Sequence, residues 1–150
     1  MIREMTKDDL KALCPILQNE VRLRMNYPDE QLNEEFFLNL WGNAMDSGTS
    51  LSFVVEDDGN ISGFLFGMVG PDLYSGLPTG YETFWYMRER NGLSGSRNAM
   101  RLLKAFTQKS KDLGCVRVMT GMWSTGPDLS KMYERLGYHK LETHFKKELK

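Results

Sequence analysis

Tyr81-Glu82-Thr83-Phe84-Trp85-Tyr86-Met87 is an apolar, aromatic run with the bulk and length of a buried strand. A polar, glycine-containing turn follows, Arg88-Glu89-Arg90-Asn91-Gly92-Leu93-Ser94-Gly95-Ser96, and leads straight into a helix. Ala99, Leu102, Leu103, Phe106, Ser110 and Leu113 stand on that helix at three- and four-residue spacing, with Arg101, Lys104, Lys109 and Lys111 outside the stripe. Gly114 ends it where a left-handed cap needs no Cβ, and Cys115-Val116-Arg117-Val118-Met119-Thr120 is the next strand. A strand, turn, helix, strand unit predicts two parallel strands with a right-handed crossover, which makes the fold class α/β.

A helix that starts directly after a Gly/Ser turn presents unpaired backbone N–H groups and the positive end of its dipole, a setting suited to a phosphate. Ser94 or Ser96 equally serves as a plain N-cap without any ligand. Both readings stay open on the local residues.

The unit resembles the central part of the GNAT family of N-acetyltransferases, in which a loop of pattern R/Q-x-x-G-x-G/A holds the pyrophosphate of acetyl-CoA. Matching Leu102-Leu103-Lys104-Ala105-Phe106 to the family's Leu-Leu-x-Ala-Leu places the loop on Ser94-Gly95-Ser96-Arg97-Asn98-Ala99, where only Ala99 agrees with the pattern. Ser94 stands in place of the Arg/Gln and Arg97 in place of the first Gly. A second stretch, Leu129-Ser130-Lys131-Met132-Tyr133-Glu134-Arg135-Leu136-Gly137-Tyr138, is similar to the family's late helix with its Tyr-Glu-Lys-x-Gly-Phe ending.

The resemblance implies a single GNAT-type domain over residues 1–150, a central mixed twisted sheet flanked by about four helices, and acetyl-CoA as the acetyl donor. It implies that Tyr133 protonates the departing thiolate of coenzyme A; packing of the aromatic ring between helix and sheet is the structural alternative. It also implies an oxyanion donor, a backbone N–H in the segment Tyr86, Met87, Arg88, ahead of the loop residues Ser94 to Ala99. The acceptor is then a primary amine of a small molecule or a protein.

The length of 150 residues suits one domain with a proper core. The net charge of −1 supplies no field for nucleic acid or an anionic membrane. Cys14 and Cys115 form no C-x-x-C or secreted disulfide pattern, which favours a reduced, cytoplasmic setting. No apolar stretch reaches membrane-spanning length. Self-association as a homodimer is left open.

Residues 1–5 fit a first strand, and Thr6 with Asp9 three residues on resembles a capping box. The helix that follows has Leu10, Leu13, Cys14, Leu17 and Val21 on one face and is interrupted at Pro15. Asp29 is expected to cap a second helix carrying Leu32, Phe36, Phe37, Leu40 and Trp41. By the resemblance these helices help enclose the acceptor, with Tyr27 as a wall residue; for Phe36 a core position is the simpler reading. Residues 51–56 and 61–69 are strands around Asp57-Asp58-Gly59-Asn60, a strong hairpin signal. Gly63 and Gly67 share one strand face and predict close approach by another element. Residues 70–80 have turn chemistry throughout and offer a candidate acceptor wall with Tyr74 as its anchor. Residues 138–149 alternate in part and are expected to form one long strand, a short ending that resembles phage and prophage members of the family.

Acetyl transfer needs a group that takes the amine proton. Glu82 on the central strand is the first candidate base, with a solvated strand-end carboxylate as the bland alternative; His144 on the last strand is the second. No P-loop, nucleophile elbow or clustered His/Cys set is present, so metal-free transfer is expected. The rival reading is a module that keeps the fold without catalysis, binding an acyl-CoA or a partner.

Overall fold

β1 (Ile2–Glu4), β2 (Phe53–Asp57), β3 (Asn60–Pro71), β4 (Pro78–Met87) and β5 (Arg117–Met119) form one sheet, hydrogen-bonded in that order. The computed structural model describes residues 1–25, 29–89 and 93–149. The first four strands pair antiparallel, and β5 lies parallel to β4 after α4 (Leu93–Asp112), as the central sequence unit requires.

Alternation along the strands divides the core in two. Val54, Phe64, Phe66 and Tyr86 face α1 (Lys7–Ile16) and α3 (Glu34–Asp46), whereas Phe53, Val55 and Leu65 face α4 and α5 (Ser130–Arg135). The sheet is therefore covered on both sides. The β2–β3 hairpin turns on Asp58 (φ 50°) and Gly59 (φ 77°), the pair of left-handed residues that a two-residue turn matching strand twist demands. Gly67 admits the Phe106 ring of α4, because a Cβ there would stand 2.9 Å from Cε2 of that ring.

α1 begins with a full capping box: the Thr6 hydroxyl accepts from the Asp9 N–H and the Asp9 carboxylate accepts from the Thr6 N–H. Arg3 clamps the same carboxylate with both terminal nitrogens, at 2.7 and 3.0 Å. The α-helix passes through Pro15 and changes to a π-helical turn at Leu17–Val21, followed by the short α2 (Arg22–Arg24). Irregular winding thus sets in two residues after the proline.

Several expectations are corrected. α3 is capped by Asn33, whose side chain accepts from the Phe36 N–H, rather than by Asp29; acidic Glu34 and Glu35 then complement the first turn. Phe36 is 64% exposed and belongs to no core. The expected loop over 70–80 shrinks to residues 72–77, since β3 and β4 zip together as far as Pro71↔Pro78. Residues 138–149 form no strand. An isolated strand needs a partner of comparable length, and β5 offers an edge of only three residues. α4 starts at Leu93, so Ser94 to Ala99 lie inside its first two turns instead of in a loop.

Candidate active site

The ladder between β4 and β5 covers three residue pairs, Thr79↔Arg117, Gly80↔Val118 and Tyr81↔Met119. β4 continues to Met87 with no ladder partner on that side among the described residues, because the chain after Met119 leaves the sheet. Pairing with β3 skips Thr83, passing from Phe66↔Phe84 to Gly67↔Glu82, so a bulge re-aims the strand at the point of parting. The Arg88 N–H donates to the Ser62 carbonyl at 2.9 Å. Antiparallel pairs alternate in this respect, so the N–H groups of Trp85 and Met87 turn the other way, to the open edge.

At the point of parting, side chains replace the missing ladder. Glu82 Oε2 accepts from the Thr120 hydroxyl at 2.9 Å and from the Gly121 N–H at 3.0 Å. The Tyr133 hydroxyl stands 3.1 Å from Thr120 Oγ1 and donates to the Gly121 carbonyl at 2.7 Å. Tyr133 reaches this position from α5, with its ring against Trp85 (6.3 Å between centroids) and Tyr138 (5.4 Å). Burial pushes the Glu82 carboxyl up to about 7, although its two donors pull the other way. Burial also raises the Tyr133 phenol, which stays protonated at neutral pH. A carboxyl that titrates near neutrality and a neutral phenol, joined through one threonine, can between them take up a proton and release one.

A second polar cluster lies at the far end of the open edge. Arg24 of α2 stacks its guanidinium over the Tyr86 ring, 4.1 Å from the centroid, and donates to the Met87 carbonyl at 3.1 Å. Tyr86 donates a hydrogen bond to Glu20, and Glu20 also pairs with Arg88 at 3.4 Å. The Thr125 hydroxyl donates to the Arg24 carbonyl, tying the segment after β5 to this helix. Glu20, Arg24 and Thr120 went unnoticed in sequence; the only local signal was the four-residue spacing that puts Glu20 and Arg24 on one helical face.

No family model matches the chain, and no curated protein matches it. Solved structures do. A predicted acetyltransferase with acetyl-CoA from Clostridium acetobutylicum aligns with a TM-score of 0.73 at 14% identity, covering 99% of this chain and 96% of that one. Glucosamine-6-phosphate N-acetyltransferase from Arabidopsis thaliana aligns at 0.72 and 16%, over 100% and 98%. AAC(6')-Iy, in complex with the bisubstrate analogue CoA-S-monomethyl-acetylneamine, aligns at 0.69 and 17%, over 100% and 97%. The fold is the GNAT acetyltransferase fold.

Within this GNAT fold the residues singled out in sequence are scattered unevenly. Glu82 and Tyr133 converge through Thr120. Tyr86 is buried, its hydroxyl spent on Glu20, and Arg88 has its backbone N–H spent on Ser62, which leaves Met87 as the member of that trio with an N–H toward the open edge. Ser94, Gly95, Ser96, Arg97, Asn98 and Ala99 form the start of α4. Tyr74 anchors nothing: it is fully exposed on a turn that Asp72 organises by accepting from the Tyr74 and Ser75 N–H groups. His144 sits on the exposed tail beside Glu142, so it joins neither cluster. Tyr27 lies outside the described residues. No described helix is long and apolar enough to cross a membrane.

Proposed function

We propose that residues 1–150 form one domain that acts as an N-acetyltransferase, moving the acetyl group of acetyl-CoA to a primary amine of a small molecule or a protein. The observation that carries this reading is the meeting of Glu82, Thr120 and Tyr133 where β4 and β5 part. Glu82, in its ionised form, takes the proton of the attacking amine. The Met87 N–H on the open edge donates to the oxyanion that develops at the acyl carbon. Tyr133 gives its proton to the thiolate that leaves. Acetyl-CoA, the co-substrate, supplies a thioester-activated acyl group.

The chain has features that fit this donor. The first-turn N–H groups of α4, at Leu93, Ser94 and Gly95, lie ahead of any carbonyl four residues back within the helix and suit a pyrophosphate. Arg97 adds an exposed guanidinium two residues on, and Asn98 and Ala99 follow in the next turn. Two free cysteines, Cys14 buried and Cys115 partly so, fit a cytoplasmic setting.

The test is thiol release from acetyl-CoA with a panel of amino sugars, aminoglycosides, polyamines and peptide N-termini. Turnover with at least one amine is expected, falling about 100-fold in Tyr133→Phe; no release with any of them refutes the enzyme. The second reading, a GNAT-fold module that binds acyl-CoA without turnover, is favoured by the departure of Ser94 to Arg97 from the loop pattern. Saturating acetyl-CoA raising the melting temperature by several degrees, with no thiol released, would establish that reading.

A further inference from the structure

We propose that Thr120 relays a proton from Glu82 to Tyr133, so that the proton lost by the amine makes good the one that Tyr133 delivers to the departing sulfur. This rests on the acetyltransferase reading and adds a link between two groups otherwise treated as independent. The three oxygens form a continuous chain: 2.9 Å from Glu82 Oε2 to Thr120 Oγ1, then 3.1 Å from Thr120 Oγ1 to Tyr133 Oη. Thr120 has one proton and two neighbours that accept it, which is the requirement for a hydroxyl that passes protons in either direction. With Glu82 ionised, Thr120 donates to the carboxylate and Tyr133 donates to the Gly121 carbonyl. Protonation of Glu82 reverses the first bond and frees the Thr120 proton for Tyr133.

The step balances as follows. The amine nitrogen bonds to the acyl carbon and loses a proton to Glu82. A half-turn about the last side-chain bond of Glu82 brings the new O–H to the Thr120 side. The C–S bond breaks with its electron pair on sulfur, and Tyr133 gives that sulfur its proton. Tyr133 Oη takes the Thr120 proton, and Thr120 Oγ1 takes the proton from Glu82. All three side chains end as they began, and one proton has moved from nitrogen to sulfur.

Burial supplies the reason for a relay. Tyr133 is 9% exposed, and among the described residues the groups that act on its hydroxyl are Thr120, Glu82, Tyr138 and Trp85, none of them a cation that would hold a phenolate. Passing the proton through Thr120 avoids that intermediate charge and makes recovery independent of bulk water. Thr120 is a positioning residue in this scheme, acting through its neighbours rather than on substrate. Tyr138, whose hydroxyl meets Thr107 Oγ1 at 3.1 Å, is the other titratable group that acts on the pair electrostatically, and no hydrogen bond places it in the chain.

The experiment compares wild type, Thr120→Val and Thr120→Ser, using acetyl-CoA and the best amine of the panel. Thr120→Val is nearly isosteric, and its kcat is expected to fall at least tenfold with KM for acetyl-CoA changed less than threefold, while Thr120→Ser stays within about threefold of wild type. The solvent deuterium isotope effect on kcat should reveal several protons in flight in wild type and one in Thr120→Val. In the protein without substrates, the infrared carboxyl band of Glu82, assigned with Glu82→Gln, should titrate at higher pH in Thr120→Val, because the carboxylate has lost a donor. A Thr120→Val enzyme within twofold of wild type in kcat, or one with an unchanged proton inventory, overturns the relay and leaves the acetyltransferase reading standing. A wild type that releases no thiol with any amine removes both.

Discussion

Replacing Glu82 by Gln should make the protein more stable at alkaline pH and hardly change it at acid pH. The carboxyl titrates near 7 in the folded chain against its ordinary 4.5, because burial disfavours the ionised form. The native state therefore binds a proton more tightly than the unfolded chain does. The stability from this group is complete below about 4.5 and is lost as pH rises through about 7. That shift is worth about 3 kcal/mol. Gln keeps a carbonyl oxygen for the Thr120 hydroxyl and the Gly121 N–H, and it carries no charge at any pH. Urea unfolding of both proteins at pH 5, 6, 7 and 8 isolates the effect, since every other titrating group is common to the pair. Glu82→Gln should lie within about 1 kcal/mol of wild type at pH 5 and exceed it by about 3 kcal/mol at pH 8, while acetyl transfer falls by at least 100-fold. A stability difference that does not grow with pH, or that favours wild type at pH 8, refutes the burial of this carboxyl and with it the tuned base.

Asp9→Asn should cost about 1–3 kcal/mol at pH 7, because it removes the charge that Arg3 clamps and weakens the capping box of α1. Arg3 holds the Asp9 carboxyl below its ordinary 3.8, so this contribution is present above that pH and disappears as pH falls further; acid titration of the urea midpoint for both proteins checks it. Gly67→Ala should cost about 1–3 kcal/mol, as the new Cβ would meet the Phe106 ring and the Tyr81 carbonyl, each at 2.9 Å. Differential scanning calorimetry measures that loss, and a neutral substitution would mean that α4 sits farther from the sheet.

Much of the architecture was legible because it is encoded locally. Asp58-Gly59 between two apolar runs dictated a hairpin, and the residues took the left-handed conformations the turn needs. Thr6 and Asp9, three apart, made the capping box expected of them. Leu102, Leu103, Phe106 and Ser110 lay on the buried side of α4, whereas Leu113, at the end of the same stripe, is 40% exposed. The miss at residues 138–149 has a different origin. Alternation describes which face a strand would show, but a strand exists only where an edge of sufficient length accepts it, and that edge belongs to β5. α4 starts at Leu93, earlier than its composition suggests, for a related reason: Ser and Gly are compatible both with a loop and with a first helical turn.

The candidate site divides along the same line. Glu82 and Tyr133 were each visible as residues, one on a strand and one in a motif, yet nothing in their own neighbourhoods joined them. Their connection runs through Thr120, which is 38 residues from Glu82 and 13 from Tyr133. Residues 138–149 and the start of α4 apart, the sequence by itself determined which segments are strands and helices and that β4 and β5 run parallel, since periodicity, caps and turns act over a few residues. Only the tertiary structure decided where β4 and β5 part, which backbone N–H groups are left on the open edge, and that a carboxyl, a hydroxyl and a phenol fill the gap. Desolvation and hydrogen bonding depend on what the rest of the chain brings near, and those terms set the proton affinity of Glu82.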